Sequence, residues 1–490
     1  MIITINDKTN CANLLYYQSL TLLYLPCEKF TENDTDNKMT VCTEVSEDEI
    51  SVKVCLDIGG RLSESKLCEK KPDSDLKRKL KNLAGRCVLS AFGKIFDRKP
   101  PWGISTGVKP VKLAKMFIDN IGKGTAYEVL TKEYLLDERK AKLCIEAYER
   151  EEQLMSGMVD NSCSVYVSIP FCPTRCDYCS FVSCTTPRFL SLIPQYLEKL
   201  HDEIRTVGDT VKQMGLTVRS VYVGGGTPAI LDVKQTCELL DVMTKSIPDI
   251  EKTEFTFEAG RPDCITEDKL KAVKAFGVGR VSINPQTTND DVLKNVGRNH
   301  TVKEFYDAFE TASKVGFDCI NTDLIAALPT DTALSFMKSV DDIAALSPEN
   351  ITVHSFTLKK SSVFRTQGDT DVTSRFEEAR RMTDYAYDTL KCCGYSPYYV
   401  YRQKNTVGDL DNTGYAKDDF ESIYNIVMMG ERHTVLSAGA GAVTKLVDKG
   451  GNVSRIFAPK YPYEYLDENK YKGFDVKTVC DFYSDKFERK

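Results

Sequence analysis

The sequence predicts an α/β protein: a partial (β/α)6 barrel that follows an N-terminal α+β domain and precedes a C-terminal extension. From Ser164 onwards, short apolar runs alternate with amphipathic helical segments, which is typical of a parallel sheet. Six such units suffice to curve into part of a barrel, whose site then lies at the carboxyl ends of the strands. Residues 1–160 lack this alternation, and after a helix that begins at Arg375 the chain becomes aromatic and irregular around Tyr395–Arg402. We therefore expect three domains, at residues 1–160, 161–375 and 376–490.

Composition is that of a globular protein with several domains. The chain has 490 residues, of which 42% are hydrophobic, and this length is too great for one core. The formal net charge is -6 and the pI is near 5.6, so overall charge does not favour nucleic acid as a partner. No apolar run approaches the length of a membrane span, and the first residues lack the features of a signal peptide. The 18 cysteines follow no framework spacing, which indicates reduced thiols, and we expect a cytoplasmic protein.

The first 160 residues have the pattern of a small α+β domain. The expected elements are a strand over Ile2–Ile5, a helix over Ala12–Tyr24, a hairpin of Thr40–Val45 with Ser51–Ile58, and helices over Ser74–Phe96 and Asp137–Met155. Between Leu76 and Lys123, twelve Lys or Arg stand against two Asp. Such a run is either an anion-binding face or the solvated side of helices, and the sequence leaves both open.

Six strands and the helices between them make up the predicted barrel. The expected strands are Val165–Ile169, Ser220–Val223, Glu254–Glu258, Arg280–Ile283, Cys319–Ile325 and Ile351–Phe356. The expected helices cover residues 188–207, 232–246, 266–276, 301–315 and 332–345, and a further helix covers Arg375–Cys392. Because strands and helices alternate, the sheet should be parallel.

Three cysteines follow the first predicted barrel strand directly. They are Cys172, Cys176 and Cys179, spaced C-x3-C-x2-C on one short loop. Three thiolates can bind three irons of a [4Fe–4S] cube, and the fourth iron is then open to a small molecule. Zinc is the alternative, since cysteine clusters in intracellular proteins often hold it. Zinc needs a fourth Cys or His, however, and the nearest candidate, Cys184, stands by itself in the sequence, so the spacing favours the cluster.

Further candidate residues fall where the predicted strands end. Glycines 224–226 and Thr227 follow the second strand, and glycines let a backbone approach a ligand closely. The other candidates are Glu258 at the end of the third strand, Gln286 and Arg298 after the fourth, Asp323 in the fifth and His354 in the sixth. Parallel strands end at one mouth of a barrel, so these side chains should meet there.

Taken in order, these motifs resemble the radical S-adenosylmethionine (SAM) enzymes, and within them the oxygen-independent coproporphyrinogen III oxidase (coproporphyrinogen dehydrogenase) family. The motifs that match are Tyr166-x-Ser-Ile-Pro-Phe-Cys172-x3-Cys176-x-Tyr-Cys179, Gly224-Gly-Gly-Thr-Pro, Glu258, Val281-Ser-Ile-x-x-Gln286, Gly297-Arg298-x-His300 and Asp323-Leu-Ile-x-x-Leu-Pro329. The match covers residues 160–330, and residues 436–442 are similar to the family's glycine-rich C-terminal segment. In the N-terminal part, Pro101-Trp102-Gly103-Ile-x-Thr-Gly107 resembles the longer HemZ-type members.

The resemblance implies a radical SAM barrel with two cofactors, a [4Fe–4S] cluster held by the three cysteines and SAM. The residues that it assigns to SAM are Tyr166, Gly225, Gly226, Thr227, Glu258, Gln286, Arg298 and Asp323. Tyr166 is also the implied catalytic residue, beside the cluster. The implied reaction begins with cleavage of SAM to methionine and a 5′-deoxyadenosyl radical, which takes a hydrogen from a propionate β-carbon. Carbon dioxide then leaves, and a vinyl group remains.

The implied substrate is coproporphyrinogen III, a small-molecule tetrapyrrole with four carboxylates, which the C-terminal extension would cover. The cations available for these carboxylates are Lys359, Lys360, Arg365, Arg402, Lys404 and Arg432. The implied partner is a reductant protein such as a flavodoxin or a ferredoxin. Neither nucleic acid nor a membrane span is expected.

Two positions depart from the family pattern. Coproporphyrinogen dehydrogenases usually carry a fourth cysteine where Phe181 stands and a histidine where Ser168 stands. Phenylalanine at the first of these positions is shared with the related haem chaperones. Three functions therefore stay open: oxidative decarboxylation of coproporphyrinogen III in haem biosynthesis, haem binding by a chaperone, and radical chemistry on another substrate.

Overall fold

The computed structural model describes residues 1–9, 11–26, 28–33, 35–179, 181, 183–357, 376–403 and 406–487. These residues form two compact units. The first comprises Met1–Tyr148 with the described residues of Asp369–Asp384 and Val400–Asp411, and the second comprises the remainder. In the described part of the chain, no helix is both long enough and apolar enough to cross a membrane.

The first unit is built on a four-stranded sheet with the strand order β1-β2-β3-β4. The strands are β1 (Ile2–Asp7), β2 (Asn37–Val45), β3 (Glu49–Ile58) and β4 (Arg61–Lys70). The helices are α1 (Leu14–Leu22), α2 (Leu76–Phe96), α3 (Pro110–Ile121), α4 (Lys123–Glu128) and the first part of α5 (Glu138–Met155). Buried and more exposed residues alternate along β3 because one sheet face packs on α2. The predicted hairpin of β2 with β3 is confirmed, whereas β4 and α3 are additional.

Several cations of the basic segment 76–123 form ion pairs within the first unit. Arg86 and Lys79 both pair with Glu69, and Lys79 also pairs with Glu133. Arg78 pairs with its own helix's capping residue, Asp75. These contacts support the interpretation of the segment as ion-paired, solvated helix faces.

Six parallel strands form the barrel wall of the second unit in the order of the sequence. They are β5 (Ser162–Ile169), β6 (Thr217–Gly225), β7 (Glu254–Gly260), β8 (Arg280–Ile283), β9 (Cys319–Ala326) and β10 (Asn350–Ser355). Each strand pairs in parallel with the next. Most of their residues are buried on both faces, as a sheet covered by helices requires. The six predicted strands and their parallel arrangement are confirmed.

Helices connect these strands on the outside of the sheet. They are α6 (Pro187–Leu190), α7 (Ile193–Gln213), α8 (Val233–Ser246), α9 (Glu267–Ala275), α10 (Asp290–Asn295), α11 (Val302–Val315) and α12 (Ala333–Leu346). The single helix predicted over residues 188–207 is two helices, because Pro194 lacks the N–H that a continuous helix needs. α8 and α11 begin with capping boxes at Asp232 and Thr301.

The C-terminal chain widens the sheet beyond the six predicted strands. β13 (Thr434–Ala438) pairs in parallel with β5, and β14 (Val443–Val447) and β15 (Val453–Phe457) extend this edge antiparallel. At the other edge, β12 (Asp411–Ala416) pairs antiparallel with β10, and β11 (Ser396–Arg402) lies beyond it, which gives eleven strands among the described residues. The helices of this part are α13 (Phe376–Cys392), α14 (Ile423–Gly430), α15 (Pro462–Leu466) and α16 (Val476–Phe487). The prediction of an irregular segment at residues 395–402 is wrong, since its tyrosines and valine favour the strand that they form.

A buried carboxylate on α7 joins the C-terminal segment to the barrel. Glu203 accepts hydrogen bonds from the Gly439 N–H at 2.7 Å and from the Tyr465 hydroxyl at 2.6 Å, and the Tyr471 hydroxyl also donates to it. Tyr196, on the same helix, donates to a backbone carbonyl near the end of β5 at 2.8 Å. These bonds hold the segment after β13 beside the strand that leads into the cysteine loop.

Replacing Glu203 with Ala should destabilise the second unit by about 2–4 kcal/mol, because two buried donors and one partly buried donor would lose their acceptor. Urea denaturation followed by circular dichroism measures this change. The matched control is Asp202→Ala, whose side chain is exposed on the same helix and pairs with Arg205 at the surface. Equal losses in the two variants would contradict the role of Glu203.

Candidate cofactor site at the barrel mouth

The cysteine loop leaves the carboxyl end of β5 and returns beside it. Cys172 and Cys176 are buried, and Cys179 is partly buried. The Cys172 N–H donates to the Cys184 carbonyl at 3.3 Å, and the Cys184 N–H donates to the Pro170 carbonyl at 2.9 Å. Burial raises the pKa of the Cys172 thiol to about 12, so this thiol keeps its proton until a cation binds. Cys184 thus supports the loop through its backbone.

Two buried arginines lie against Cys176. Arg298 Nη1 is 3.7 Å from Cys176 Sγ, and Arg261 Nη1 is 3.8 Å from the same sulfur. Arg298 also donates to the carbonyls of Gly260 and Asn284, both at 3.0 Å, which joins the cysteine loop to the ends of β7 and β8. The contact of Arg298 with SAM stays a prediction. Arg261 was not among the residues predicted from the sequence. It could have been, because it directly follows β7 and the other candidates also lie at strand ends.

The glycine run after β6 packs directly on the cysteine loop. The Thr227 N–H donates to the Phe171 carbonyl at 2.8 Å, and the Thr227 hydroxyl lies 3.3 Å from Cys172 Sγ. A Cβ on Gly226 would come within 2.5 Å of the Phe171 carbonyl oxygen and 3.0 Å of Cys172 Sγ. Gly225 has a φ of 118°, which other residues rarely adopt. Both positions therefore require glycine.

Glu258 is a partly buried carboxyl group near the end of β7. Burial, and then the charge of Asp323, raise the pKa of Glu258 to about 8, against hydrogen bonds donated by the Tyr222 hydroxyl and the Gly225 N–H. Glu258 is therefore largely protonated at neutral pH. A positively charged ligand would favour loss of that proton.

Asp323, on β9, is held by two side-chain amides. Asn284 Nδ2 donates to Asp323 Oδ2 at 2.8 Å, and Asn321 Nδ2 donates to Oδ1 at 2.9 Å. His354 Nε2 lies 3.9 Å from Asp323 Oδ2, while its Nδ1 lies 3.3 Å from Asn412 Oδ1. Asn284 Oδ1 is buried and accepts no hydrogen bond from the described residues, so the group has an acceptor left for a ligand. The sequence predicted Asp323 and His354 here but neither asparagine.

Gln286 takes an unusual backbone conformation beside Asp323. Its φ is 68°, in the left-handed region that favours glycine. The Gln286 N–H donates to the Asp323 carbonyl at 3.0 Å, and its carbonyl accepts from the Ile325 N–H at 2.9 Å. Strained backbones of this kind persist where the surroundings impose them, and they cluster at functional sites.

Tyr166 lies in a stack of three tyrosines. Its ring centroid is 6.2 Å from that of Tyr222 and 5.9 Å from that of Tyr424, and the latter two are 4.4 Å apart. Burial raises the pKa of all three hydroxyls above the usual value, so they are neutral phenols at physiological pH. Val427 and Val435 belong to the same apolar cluster. The catalytic role of Tyr166 stays a prediction.

The residues present fit a [4Fe–4S] cluster better than a single zinc ion. A zinc site gathers its donors around one ion, whereas a cube takes one thiolate for each of three irons. Three thiols on one loop meet the second requirement.

Two of the predicted substrate cations have other partners. Arg402 belongs to the first unit, where it is buried and pairs with Asp409. Arg432 pairs with Glu151 at 3.2 Å and with Glu152 at 2.7 Å. These contacts do not support a substrate role for either arginine. The other predicted cations, Lys359, Lys360, Arg365 and Lys404, lie outside the described residues.

Residues 166–343 match the Radical SAM superfamily. Over 394 residues the chain is 36% identical to the oxygen-independent coproporphyrinogen-III oxidase-like protein HemZ of Bacillus subtilis, which covers 79% of this chain and 78% of the relative. Over 205 residues it is 34% identical to the heme chaperone HemW of the same organism, which covers 41% of this chain and 52% of that relative.

Among solved structures, the coproporphyrinogen III oxidase HemN from Escherichia coli has a similar fold. The TM-score is 0.52, and the match covers 68% of this chain and 73% of that one. The sequences are 23% identical, so this likeness concerns the fold alone.

Gly226→Ala should destabilise the second unit by about 1–3 kcal/mol and lower its iron content, because the added methyl would press on the cysteine loop. Thermal unfolding and iron and sulfide assays on anaerobically purified protein measure both effects. The control is Gly157→Ala, whose methyl would meet no atom within 4 Å. Unchanged iron content in Gly226→Ala would contradict the tight packing of the two loops.

Glu258→Gln should raise the melting temperature, and the gain should grow as the pH rises toward about 8. The folded carboxyl keeps its proton up to about that pH, whereas the unfolded one ionises near roughly 4.3, so wild-type stability falls between these values. The amide does not ionise and escapes this loss, which we expect to be on the order of 1–3 kcal/mol. Thermal unfolding across this pH range measures the gain, with the exposed Glu251→Gln as control. A gain independent of pH would refute the raised pKa.

Proposed function

We propose that this chain oxidatively decarboxylates coproporphyrinogen III. The chain belongs to the radical SAM superfamily and, within it, to the oxygen-independent coproporphyrinogen-III oxidase-like group. The observation that carries this proposal is the extent of the similarity to HemZ. Its 394 aligned residues reach well beyond residues 166–343, so the similarity includes more than the part that handles SAM.

Proteins of the radical SAM superfamily bind a [4Fe–4S] cluster and SAM, and these are the cofactors of this chain. Cys172, Cys176 and Cys179 would hold the cluster. The residues that would bind SAM are Tyr166, Gly225, Gly226, Thr227, Glu258, Gln286, Arg298 and Asp323. When bound, the two groups supply a carbon radical able to remove a hydrogen atom from an unactivated carbon.

The carboxyl groups at the mouth would recognise the positive charges of SAM. Glu258, with a pKa of about 8, would lose its proton as the cation binds. Asp323 would offer a carboxylate whose position Asn284 and Asn321 already hold, so little side-chain entropy is lost on binding.

The tyrosine stack would separate the reacting groups from water. Tyr166, Tyr222 and Tyr424 pack their rings together in an apolar cluster, and their hydroxyls carry no charge at physiological pH. Exclusion of water matters because it prevents side reactions of reactive species.

Each decarboxylation removes one hydrogen atom, one carbon dioxide and one electron from a propionate side chain and leaves a vinyl group. The hydrogen leaves the carbon next to the ring, the bond to the carboxyl carbon then breaks, and the remaining electron passes to an acceptor. The electron that starts each cycle would come from a donor protein such as a flavodoxin or a ferredoxin. Such a donor and the abundance of reduced cysteines agree with a cytoplasmic location.

Haem binding by a chaperone is the second candidate function. Phe181, 69% exposed, occupies the position of the fourth cysteine of the dehydrogenases, and HemW is 34% identical over 205 residues. Ser168 stands where the dehydrogenases have a histidine. Its hydroxyl donates to the Ala440 carbonyl at 2.8 Å and so binds the C-terminal segment.

The test is anaerobic incubation of the reconstituted protein with SAM, dithionite and coproporphyrinogen III, followed by mass spectrometry. We expect loss of two carboxyl groups, together with formation of 5′-deoxyadenosine. Deoxyadenosine without decarboxylated porphyrinogen would refute the proposed substrate. Haem absorbance after mixing with haem, without a vinyl product, would support the chaperone instead.

Cysteine variants test the ligand assignment within the same experiment. Cys176→Ala should lose the cluster absorbance and all SAM cleavage, since one iron would lack its thiolate. The control is Cys184→Ala, a buried cysteine next to the loop that contacts it through the backbone. Cluster and cleavage retained in Cys176→Ala, or lost equally in both variants, would contradict the assignment.

A further inference from the structure

Arg261, which the proposed function does not use, lies buried between Cys176 and Asp263. It is 2% exposed. Its Nη1 donates to the Thr174 carbonyl at 3.1 Å and lies 3.8 Å from Cys176 Sγ. Its Nε and Nη2 donate to the two carboxylate oxygens of Asp263 at 3.0 and 2.7 Å. One guanidinium therefore joins the cysteine loop to a carboxylate after β7.

The Arg261–Asp263 pair is fully ionised. Burial by itself would raise the pKa of Asp263, but the hydrogen bonds and the charge of Arg261 hold it below its usual range. Both side chains are fixed by their bidentate contact, the geometry in which arginine and carboxylate bind most strongly. The electrostatic potential that the pair creates at Cys176 thus depends on the charges of both Arg261 and Asp263.

The other guanidinium at this sulfur, Arg298, has neutral acceptors. It donates to two backbone carbonyls and, at 3.1 Å, to His300 Nδ1. Burial, and then the charge of Arg298, lower the pKa of His300 to about 3, so the imidazole is uncharged. Cys176 therefore faces the positive charge of Arg298, whose hydrogen-bond acceptors are neutral, and the Arg261–Asp263 ion pair.

We propose that Arg261 and Asp263 form a positioning pair that sets the reduction potential of the cluster through Cys176. This inference rests on the proposed function in one respect, the binding of a [4Fe–4S] cluster by the three cysteines. Neither Arg261 nor Asp263 is assigned a contact with SAM or with the substrate in that function.

The physical reason is the charge that reduction adds to the cluster. A hydrogen bond or a positive charge at a ligating sulfur stabilises the reduced form and raises the potential, and a negative charge lowers it. Loss of the Arg261 charge would leave the Asp263 carboxylate without its bidentate partner and lower the potential. Loss of the Asp263 charge would leave Arg261 without its counterion and raise it.

The test is a redox titration of Arg261→Gln and Asp263→Asn in the full chain, reconstituted anaerobically and followed by electron paramagnetic resonance without SAM or porphyrinogen. We expect the equilibrium constant for one-electron reduction to fall about three- to tenfold in Arg261→Gln and to rise similarly in Asp263→Asn, where tenfold corresponds to about 59 mV. The control, Arg188→Gln, removes an exposed positive charge from α6 and should leave the potential unchanged. Arg261→Lys keeps the charge and should lie closer to wild type than Arg261→Gln.

Opposite shifts would support the proposal, because a pair with a structural role alone would lose iron in both variants without opposite changes in potential. Shifts in the same direction, or none, would overturn it. If Arg261→Gln does not retain iron, an unchanged potential in Asp263→Asn overturns it. A wild-type chain that binds no cluster sinks this inference and the proposed function together, whereas a cluster without porphyrinogen turnover refutes the substrate and leaves the titration valid.

Discussion

The packing of the cysteine loop on the glycine run organises the candidate site. The Gly226 N–H donates to the Ile169 carbonyl and the Thr227 N–H to the Phe171 carbonyl, both at 2.8 Å, so two strand ends are joined backbone to backbone. This approach is possible because no Cβ stands between them. This packing brings Cys172 against Thr227. The two loops form one side of the barrel mouth, and the polar groups at the ends of the other strands lie around it.

Buried polar groups lie at the barrel mouth, and residues at one strand end form hydrogen bonds with residues at another strand end. Arg298 crosses from the cysteine loop to the ends of β7 and β8, and the amides after β8 and in β9 hold Asp323. Glu258 keeps a raised pKa, and Gln286 a strained backbone. Such features lower the stability of a fold by themselves, and proteins retain them where function needs them.

Local sequence patterns were sufficient to predict the elements that repeat along the chain, and insufficient to predict those that do not repeat. Each barrel strand is a short apolar run before an amphipathic helix, so β5 to β10 could be predicted. The strands β11 to β15 follow no such alternation, and they form because partners at both sheet edges are available. Their presence also covers edges that a six-stranded sheet would leave unpaired. The role of Arg402 could not be predicted from local patterns either, because its ion pair with Asp409 forms only in the folded first unit.

Spacing along the chain and the direction of parallel strands were enough to predict the barrel, the three-cysteine loop and the placement of Glu258, Gln286 and Asp323 at one mouth. The folded protein was needed to show that Arg261 and Arg298 both lie against Cys176, and that Ser168 hydrogen-bonds to the C-terminal segment. These contacts join residues up to 272 positions apart. Which side chains meet over such separations depends on how helices and strands pack, and no local pattern records it.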